Sequence, residues 1–543
     1  MSMEKGSNFI KGAVILSLAG IIAKVMGFVY RIVLPRILGE YGLGLYEVAY
    51  SIYVVLLVIS RSGIPVAIAK MIADRIARDQ RKNAFKIFKV GRKASVIVGI
   101  IFMFLMIVLA RPLIHLFKWN SDVLYSLLAL APAIFFVSIM AVYRGFFQGL
   151  QDMVPTACSQ VVEQFVRMVT MIALVYILVP YGVQYGAAGA VFGAVTGSIA
   201  GLLVLFYIYY KKRKKIWKFV NTDSVEDINQ KNIIKEIASL GIPISFGGLV
   251  LPLMRFVDAS IIPSRLEFAG FSSVASYELL AHMNGMAMVL VNFPTIITIA
   301  LAASLVPAIS ESFAQNNKKT IKRRTETALR LTILIGLPAA VGLFVLAEPL
   351  TVAIFNTGKA AVPLRIVSWG VIFITLQQTS AAILQGLEKP LLPARNLFLG
   401  AVINGVINFT LTGLPAFGIR GAAVGTLTGF AFAAFWNIYY LKKYTDFKFR
   451  PLLFVLKPVL SVLVMGIVVS RGFILLQNLF SVFVSSYYSY RVSASLIVFI
   501  GSVAYFFILV LLNAVKYSDL MLIPKVGPKL ADILKKVGLV ADK

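Results

Sequence analysis

The chain has 543 residues, 59% of them hydrophobic and 14% charged, with a mean hydropathy of +0.87. That balance excludes a soluble globular enzyme, whose surface needs far more charge, and points to a polytopic membrane protein. The net charge is +30, from 53 Lys and Arg against 23 Asp and Glu. The single cysteine, Cys158, excludes a disulfide framework within one chain, and two histidines, His115 and His282, argue against a metal centre.

A membrane-crossing helix needs about 20 predominantly apolar residues. Fourteen such stretches are predicted, at 9–35, 43–69, 91–110, 122–147, 155–179, 186–210, 234–262, 276–308, 328–350, 364–386, 393–413, 419–441, 451–475 and 491–514. The chain opens Met1-Ser2-Met3-Glu4-Lys5-Gly6, and Lys24 and Arg31 interrupt the first apolar run. This is not the pattern of a cleavable signal, so the first span is expected to stay. An even count puts both termini on one side. The dense basic clusters at 75–93, 211–218, 318–324 and 442–450 all fall on that side, which is therefore expected to be cytoplasmic. The positive charge reads as a topology signal beside anionic headgroups, not as a nucleic-acid surface. The basic tail at 523–536 looks like half of a helix-hairpin-helix motif but is better read as an amphipathic helix on the membrane surface.

The sequence repeats itself. Ala110-Arg111-Pro112-Leu113 recurs as Ala347-Glu348-Pro349-Leu350, and Gln148-Gly149-Leu150 as Gln385-Gly386-Leu387, both 237 positions on. The Gly/Ala-rich stretch from Gly189 to Gly197 recurs from Gly421 to Gly429, 232 positions on. Six spans per half is an even number, so the repeats are expected to be parallel, about an axis along the membrane normal. The predicted fold is an all-α polytopic protein of about fourteen helices. A six-helix lobe (1–211) leads through a cytoplasmic linker (212–232) to a second lobe (233–442), two added helices (443–514) and a basic tail (515–543).

An ionisable side chain within a span costs several kcal/mol unless it faces water or a partner, so each one is a site candidate. Lys24 and Arg31 lie seven apart in the first span, on nearly one helix face. Arg61 lies in the second span and Arg255 in the seventh. Lys24, Arg31, Arg61 and Arg255 are the candidate substrate-binding cations. Glu163 and Arg167, four apart, are expected to form an intrahelical ion pair, and Arg255 and Asp258 a second. Glu47 is expected near an interface, and Arg144 is expected to snorkel. Asn404 and Asn408 are candidate cavity groups, with hydrogen bonding between helices as the competing reading. The uncompensated excess is cationic, and arginine suits phosphate through bidentate hydrogen bonds. No Walker loop, cofactor motif or catalytic constellation is present in the sequence, and no enzymatic activity is expected.

Phe9-Ile10-Lys11-Gly12, the stretch from Lys24 to Arg31, the stretch from Gly39 to Tyr46 and the stretch from Gly63 to Lys70 carry a family resemblance, together with the repeated motifs. They resemble the stage V sporulation protein B group in the polysaccharide-transporter branch of the multidrug/oligosaccharidyl-lipid/polysaccharide exporter superfamily. The resemblance implies two six-helix lobes in a V and two added helices forming a lipid-facing groove. It also implies the flipping of an undecaprenyl-pyrophosphate-linked saccharide, as in the lipid II flippases. The first span of those flippases carries a Ser-Arg-x-x-Gly-Phe-x-Arg-Asp pattern. Here Lys24 matches its first cation, Tyr30 stands at the second arginine and Arg31 at the aspartate.

The expected function is therefore a flippase for a polyprenyl-pyrophosphate-linked saccharide, lipid II or a related envelope precursor, working by alternating access in the bacterial cytoplasmic membrane. Membrane potential or a monovalent cation gradient would drive it, and cell-envelope synthesis proteins would be its partners. The alternative is a cation-coupled multidrug exporter of the same superfamily, using Asp258 or Glu47. A third reading is a membrane scaffold without transport.

Overall fold

The computed structural model describes residues 2–61, 63–220, 228–448 and 452–512. The tail 515–543 and residues 221–227 of the linker 212–232 lie outside them. The described residues are helical and contain no strand. Lipid dictates this, because a helix satisfies its own backbone polar groups. The chain divides into two compact units, Met1–Ala281 and His282–Lys543.

The first unit holds α1 (Ser2–Arg61), α2 (Ile64–Ala77), α3 (Arg81–Phe117), α4 (Val123–Gly149), α5 (Val154–Leu178), α6 (Val183–Val220), α7 (Gln230–Phe268) and α8 (Ser273–Leu280). By contact, α7 and α8 therefore group with the first six spans, because α7 lies against α1, α2 and α3. The second unit holds α9 (Met288–Ala314), α10 (Lys318–Val345), α11 (Ala347–Phe355), α12 (Ala361–Val367), α13 (Gly370–Gly386), α14 (Leu391–Leu411), α15 (Ile419–Thr445), α16 (Lys457–Ser481) and α17 (Ser486–Leu511).

Among the described residues, eleven helices are long and apolar enough to cross a membrane, or up to thirteen if each of two bent pairs is one span. The expected count of fourteen is not confirmed. Spans 9–35 and 43–69 are absorbed into one helical run, Val14–Ala77, because the chain passes through a single non-helical residue, Gly39 (φ 78, ψ 171), between them. Only glycine adopts that conformation without a steric penalty. At about 1.5 Å per residue, this 64-residue run is far longer than one hydrocarbon thickness. The bent pairs are α7, turned by 50° between Ser245 and Gly247 just after Pro243, and α12 with α13, turned by 44°.

The repeated motifs differ in their surroundings. Pro112 lies inside α3, which runs on to Phe117 and takes His115 into its last turn rather than a loop. Its counterpart Pro349 opens α11 after a break at Leu346. The added helices α16 and α17 pack through Met465, Val469, Phe473, Ile497 and Tyr505 against α10. The Tyr505 hydroxyl fixes that contact by donating to the Leu334 carbonyl at 3.0 Å. Leu463, Ile467, Leu475, Phe499 and Phe507 on the same two helices are exposed, as a lipid-facing surface requires.

Candidate functional site

Glycine spacing sets the position of the charged helix α5. Gly189, Gly193, Gly197 and Gly201 recur every four residues on one face of α6. A β-carbon on Gly193 would lie 2.8 Å from the Arg167 carbonyl, and one on Gly197 2.6 Å from the Glu163 carbonyl. The backbones of α5 and α6 therefore touch where Glu163 and Arg167 sit. The second unit repeats the packing with other chemistry. Gly425 abuts the Asn404 carbonyl and the Asn408 side chain, and Gly400 abuts the Gly429 carbonyl. Gly400 and Asn404 stand 237 positions after Glu163 and Arg167. Asn404 and Asn408 are fully buried at this α14–α15 contact. They belong to the other unit.

The ion pairs differ from the expected ones. Glu163 accepts from Arg144 of α4 at 2.7 Å, with the two side chains 16% and 14% exposed, and Arg144 also donates to Ser159 at 2.9 Å. Arg144 is thus a buried partner on the facing helix and does not snorkel. Arg167 turns instead to α1, where its guanidinium lies 5.4 Å from the Tyr50 ring centroid, a cation–π contact. That ring leads the charge away from Glu163. Arg255 and Asp258 interact electrostatically.

Around these groups the first unit gathers a chain of cations. Arg31 is close enough to interact with Tyr30, Tyr46, Glu47 and Tyr50, and Arg255 with Arg31, Glu47, Tyr50 and Asp258. Arg61 lies in similar reach of Glu163, Arg144 and Tyr53. Among the described residues, Arg31, Arg61 and Arg255 have no carboxylate at ion-pair distance. Arg255 is exposed and Arg31 and Arg61 are half-buried. Lys24, two turns before Arg31, is exposed and is not among the groups acting on this cluster. Glu47 stands inside the cluster rather than at its edge. The sequence reading missed the tyrosines. Tyr46 and Tyr50 stack at 5.3 Å between ring centroids, and Tyr50 and Tyr53 follow at 5.7 Å. Their spacing of four and three residues was the available signal of a single helix face.

The arrangement is a group of arginines beside aromatic rings, with Glu163 already paired to Arg144 and with Glu47 and Asp258 in electrostatic reach. Such a surround attracts a polyanion and has no constellation for bond-making chemistry.

Comparison with known proteins gives the following. The family described as polysaccharide biosynthesis protein matches residues 9–313, and the MatE family matches residues 243–410. Stage V sporulation protein B of Bacillus subtilis (strain 168) is 32% identical over 423 residues, covering 78% of this chain and 81% of that protein. The lipid II flippase MurJ of the same organism is 28% identical, covering 91% and 93%. Among solved structures, the lipid II flippase MurJ in an inward closed conformation matches with a TM-score of 0.64 at 15% identity, covering 91% of this chain and 98% of that one. An inward-facing multidrug resistance MATE family transporter of the MOP superfamily matches with a TM-score of 0.65 at 17% identity, covering 80% and 98%. These last two establish the fold.

Proposed function

The chain belongs to the polysaccharide biosynthesis protein family of the multidrug/oligosaccharidyl-lipid/polysaccharide exporter superfamily, and from that premise we propose that it flips a polyprenyl-pyrophosphate-linked saccharide across the cytoplasmic membrane. It is a multi-pass membrane transporter. The finer reading assigns it lipid II or a related cell-envelope precursor, moved by alternating access, with both termini cytoplasmic. The observation that carries this reading is the group of Arg31, Arg61 and Arg255 in the first unit, with no carboxylate at ion-pair distance among the described residues. A pyrophosphate supplies the charge these arginines lack, and the tyrosines of α1 offer flat faces to a sugar. Lys24 would meet the ligand before the cluster. The polyprenyl chain would stay in lipid along α16 and α17. With no nucleotide site in the sequence, an ion gradient or the membrane potential supplies the drive.

The test is a flipping assay in vesicles with defined polyprenyl-pyrophosphate sugars. Arg61→Ala is expected to slow flipping on the order of tenfold or more, the loss that follows removal of one charge-assisted contact. Arg61→Lys should retain part of the rate. Equal rates in wild type and Arg61→Ala would overturn the reading. The MatE match over 243–410 and Glu47 beside Arg31 favour a second reading, a cation-coupled multidrug exporter. Under it, expression changes drug susceptibility and Glu47→Gln abolishes that change. Under the first, susceptibility stays flat.

A further inference from the structure

A second polar-to-apolar junction lies on the first unit, built from residues the arginine cluster does not use. A cleft of about 520 Å³ opens where α3, α4 and α6 meet. Arg92 and Lys93 line one part of it, and Val96, Ile97, Ile139 and Phe206 line the rest, with Tyr143 between. Arg92 and Lys93 are exposed, and among the described residues neither has a carboxylate partner. Arg92 is held in place. Its guanidinium lies 5.9 Å from the Phe88 ring centroid and reaches the Tyr143 hydroxyl at 3.5 Å. Phe88 in turn packs on Phe146 at 4.2 Å, and Tyr143 on Phe206 at 4.9 Å.

The sequence places this cleft at a membrane boundary. From Arg81 to Lys93, α3 carries six basic residues, and from Ala94 to Ala110 it carries none. On α6 the change runs the other way, from Phe206 and Tyr207 through Tyr209 and Tyr210 into Lys211 and Lys212. Aromatic residues followed by lysines are the mark of the headgroup level. Exposed Ile97 and Phe206 therefore point into hydrocarbon depth while Arg92 and Lys93 stand among headgroups.

We propose that this cleft is a binding site for an anionic glycerophospholipid of the leaflet that the basic helix ends face. Its phosphate would lie on Arg92 and Lys93, and one acyl chain would run down over Val96, Ile97, Ile139 and Phe206. A free phosphate leaves the apolar floor uncovered, and a zwitterionic lipid brings a cation against two cations. A negatively charged amphiphile satisfies both ends. The cleft volume falls in the range of about 300–1,000 Å³ usual for small-molecule sites. The proposal does not depend on the transport reading.

The test uses the full chain in phosphatidylcholine nanodiscs carrying spin-labelled phosphatidylglycerol or spin-labelled phosphatidylcholine. The measured quantity is the ratio of immobilised anionic to immobilised zwitterionic lipid. Wild type is expected to favour phosphatidylglycerol. The double variant R92Q/K93Q should lower its apparent affinity on the order of thirtyfold, since each surface cation contributes about 1 kcal/mol. The matched charge loss K442Q/K443Q, at exposed positions on α15 in the second unit, should leave the ratio unchanged. Ile97→Trp keeps both cations but fills the floor, and should also release the lipid. An equal fall in both double variants would mean diffuse surface charge and overturn the site. So would an unchanged ratio in R92Q/K93Q, or displacement of phosphatidylglycerol by equimolar polyprenyl phosphate. Thermal melting of each variant in pure phosphatidylcholine identifies any that is misfolded, and Ile97→Trp then decides.

Discussion

Arg144 and Glu163 meet at 2.7 Å with little exposure, so each is the other's counter-ion in a low-dielectric surround. Removing one charge strands the other, a loss of about 3–5 kcal/mol for a buried pair. Glu163→Gln is therefore expected to lower thermal stability by several degrees in detergent, measured as unfolding of the purified protein. Arg144→Met with Glu163→Leu should recover most of it, because an apolar pair of similar volume leaves no buried charge. Failure of the double variant to recover would mean that Arg144 is held for its contact with Ser159 instead. The presence of Glu163 and Arg167 inside a span was legible from composition. Their partners were not. Spacing of four within a helix suggests a pair, but the Tyr50 ring and the Arg144 side chain come from other helices, and no pattern within α5 encodes them.

The same limit applies to helices. The four glycines of α6 were visible as a string, and close packing was its natural reading. The neighbour, and the fact that the contact falls on Glu163 and Arg167, needed the fold. Gly197→Val would push a side chain to within 2.6 Å of the Glu163 carbonyl, so it should cost about 1–3 kcal/mol of stability by overpacking. Gly342→Ala, where a β-carbon meets nothing within 4 Å, should by contrast be neutral or stabilise α10. Thermal unfolding of both variants checks the pair of signs. A stronger block lies at Gly63, where a β-carbon would stand 1.9 Å from the Gly241 carbonyl, beside the 3.0 Å hydrogen bond from the Gly63 amide to Ser245. Gly63→Ala should cost more than Gly197→Val would suggest from size alone, since only backbone can yield. Span existence was readable from apolar runs of about 20 residues. The continuity of the first two spans was not, because the helix runs on either side of a one-residue interruption at Gly39.

Across the whole chain, the duplication was legible as one offset shared by two motifs, and the α5–α6 and α14–α15 contacts repeat it in three dimensions. The chemistry did not duplicate: Gly400 and Asn404 occupy the places of Glu163 and Arg167. One half thus concentrates charge and the other keeps only neutral hydrogen-bonding groups at the matching contact. Orientation was readable only from loop charge. It is tested by placing single cysteines at Ser2 and Lys543 in a Cys158→Ser background, Cys158 being exposed. An impermeant maleimide should label both positions in inside-out vesicles and neither in intact cells. Labelling of either one in intact cells would reverse the assignment.

Arg31 and Arg61 also govern how the protein is made. Each enters the membrane on α1, long before α5 and α7 are synthesised. An arginine at mid-membrane opposes insertion by about 2.5–3.5 kcal/mol. Tyr30, Tyr46, Glu47 and Tyr50 travel with α1, but Glu163, which acts with Arg61, and Asp258 arrive later in the chain. The earliest helices are therefore held by the translocation machinery, or only loosely integrated, until α5 emerges. A fragment ending at residue 150 should integrate poorly and be degraded quickly, while one ending at residue 211 should persist, so the charged cluster sets the order of assembly as well as the chemistry of the finished site.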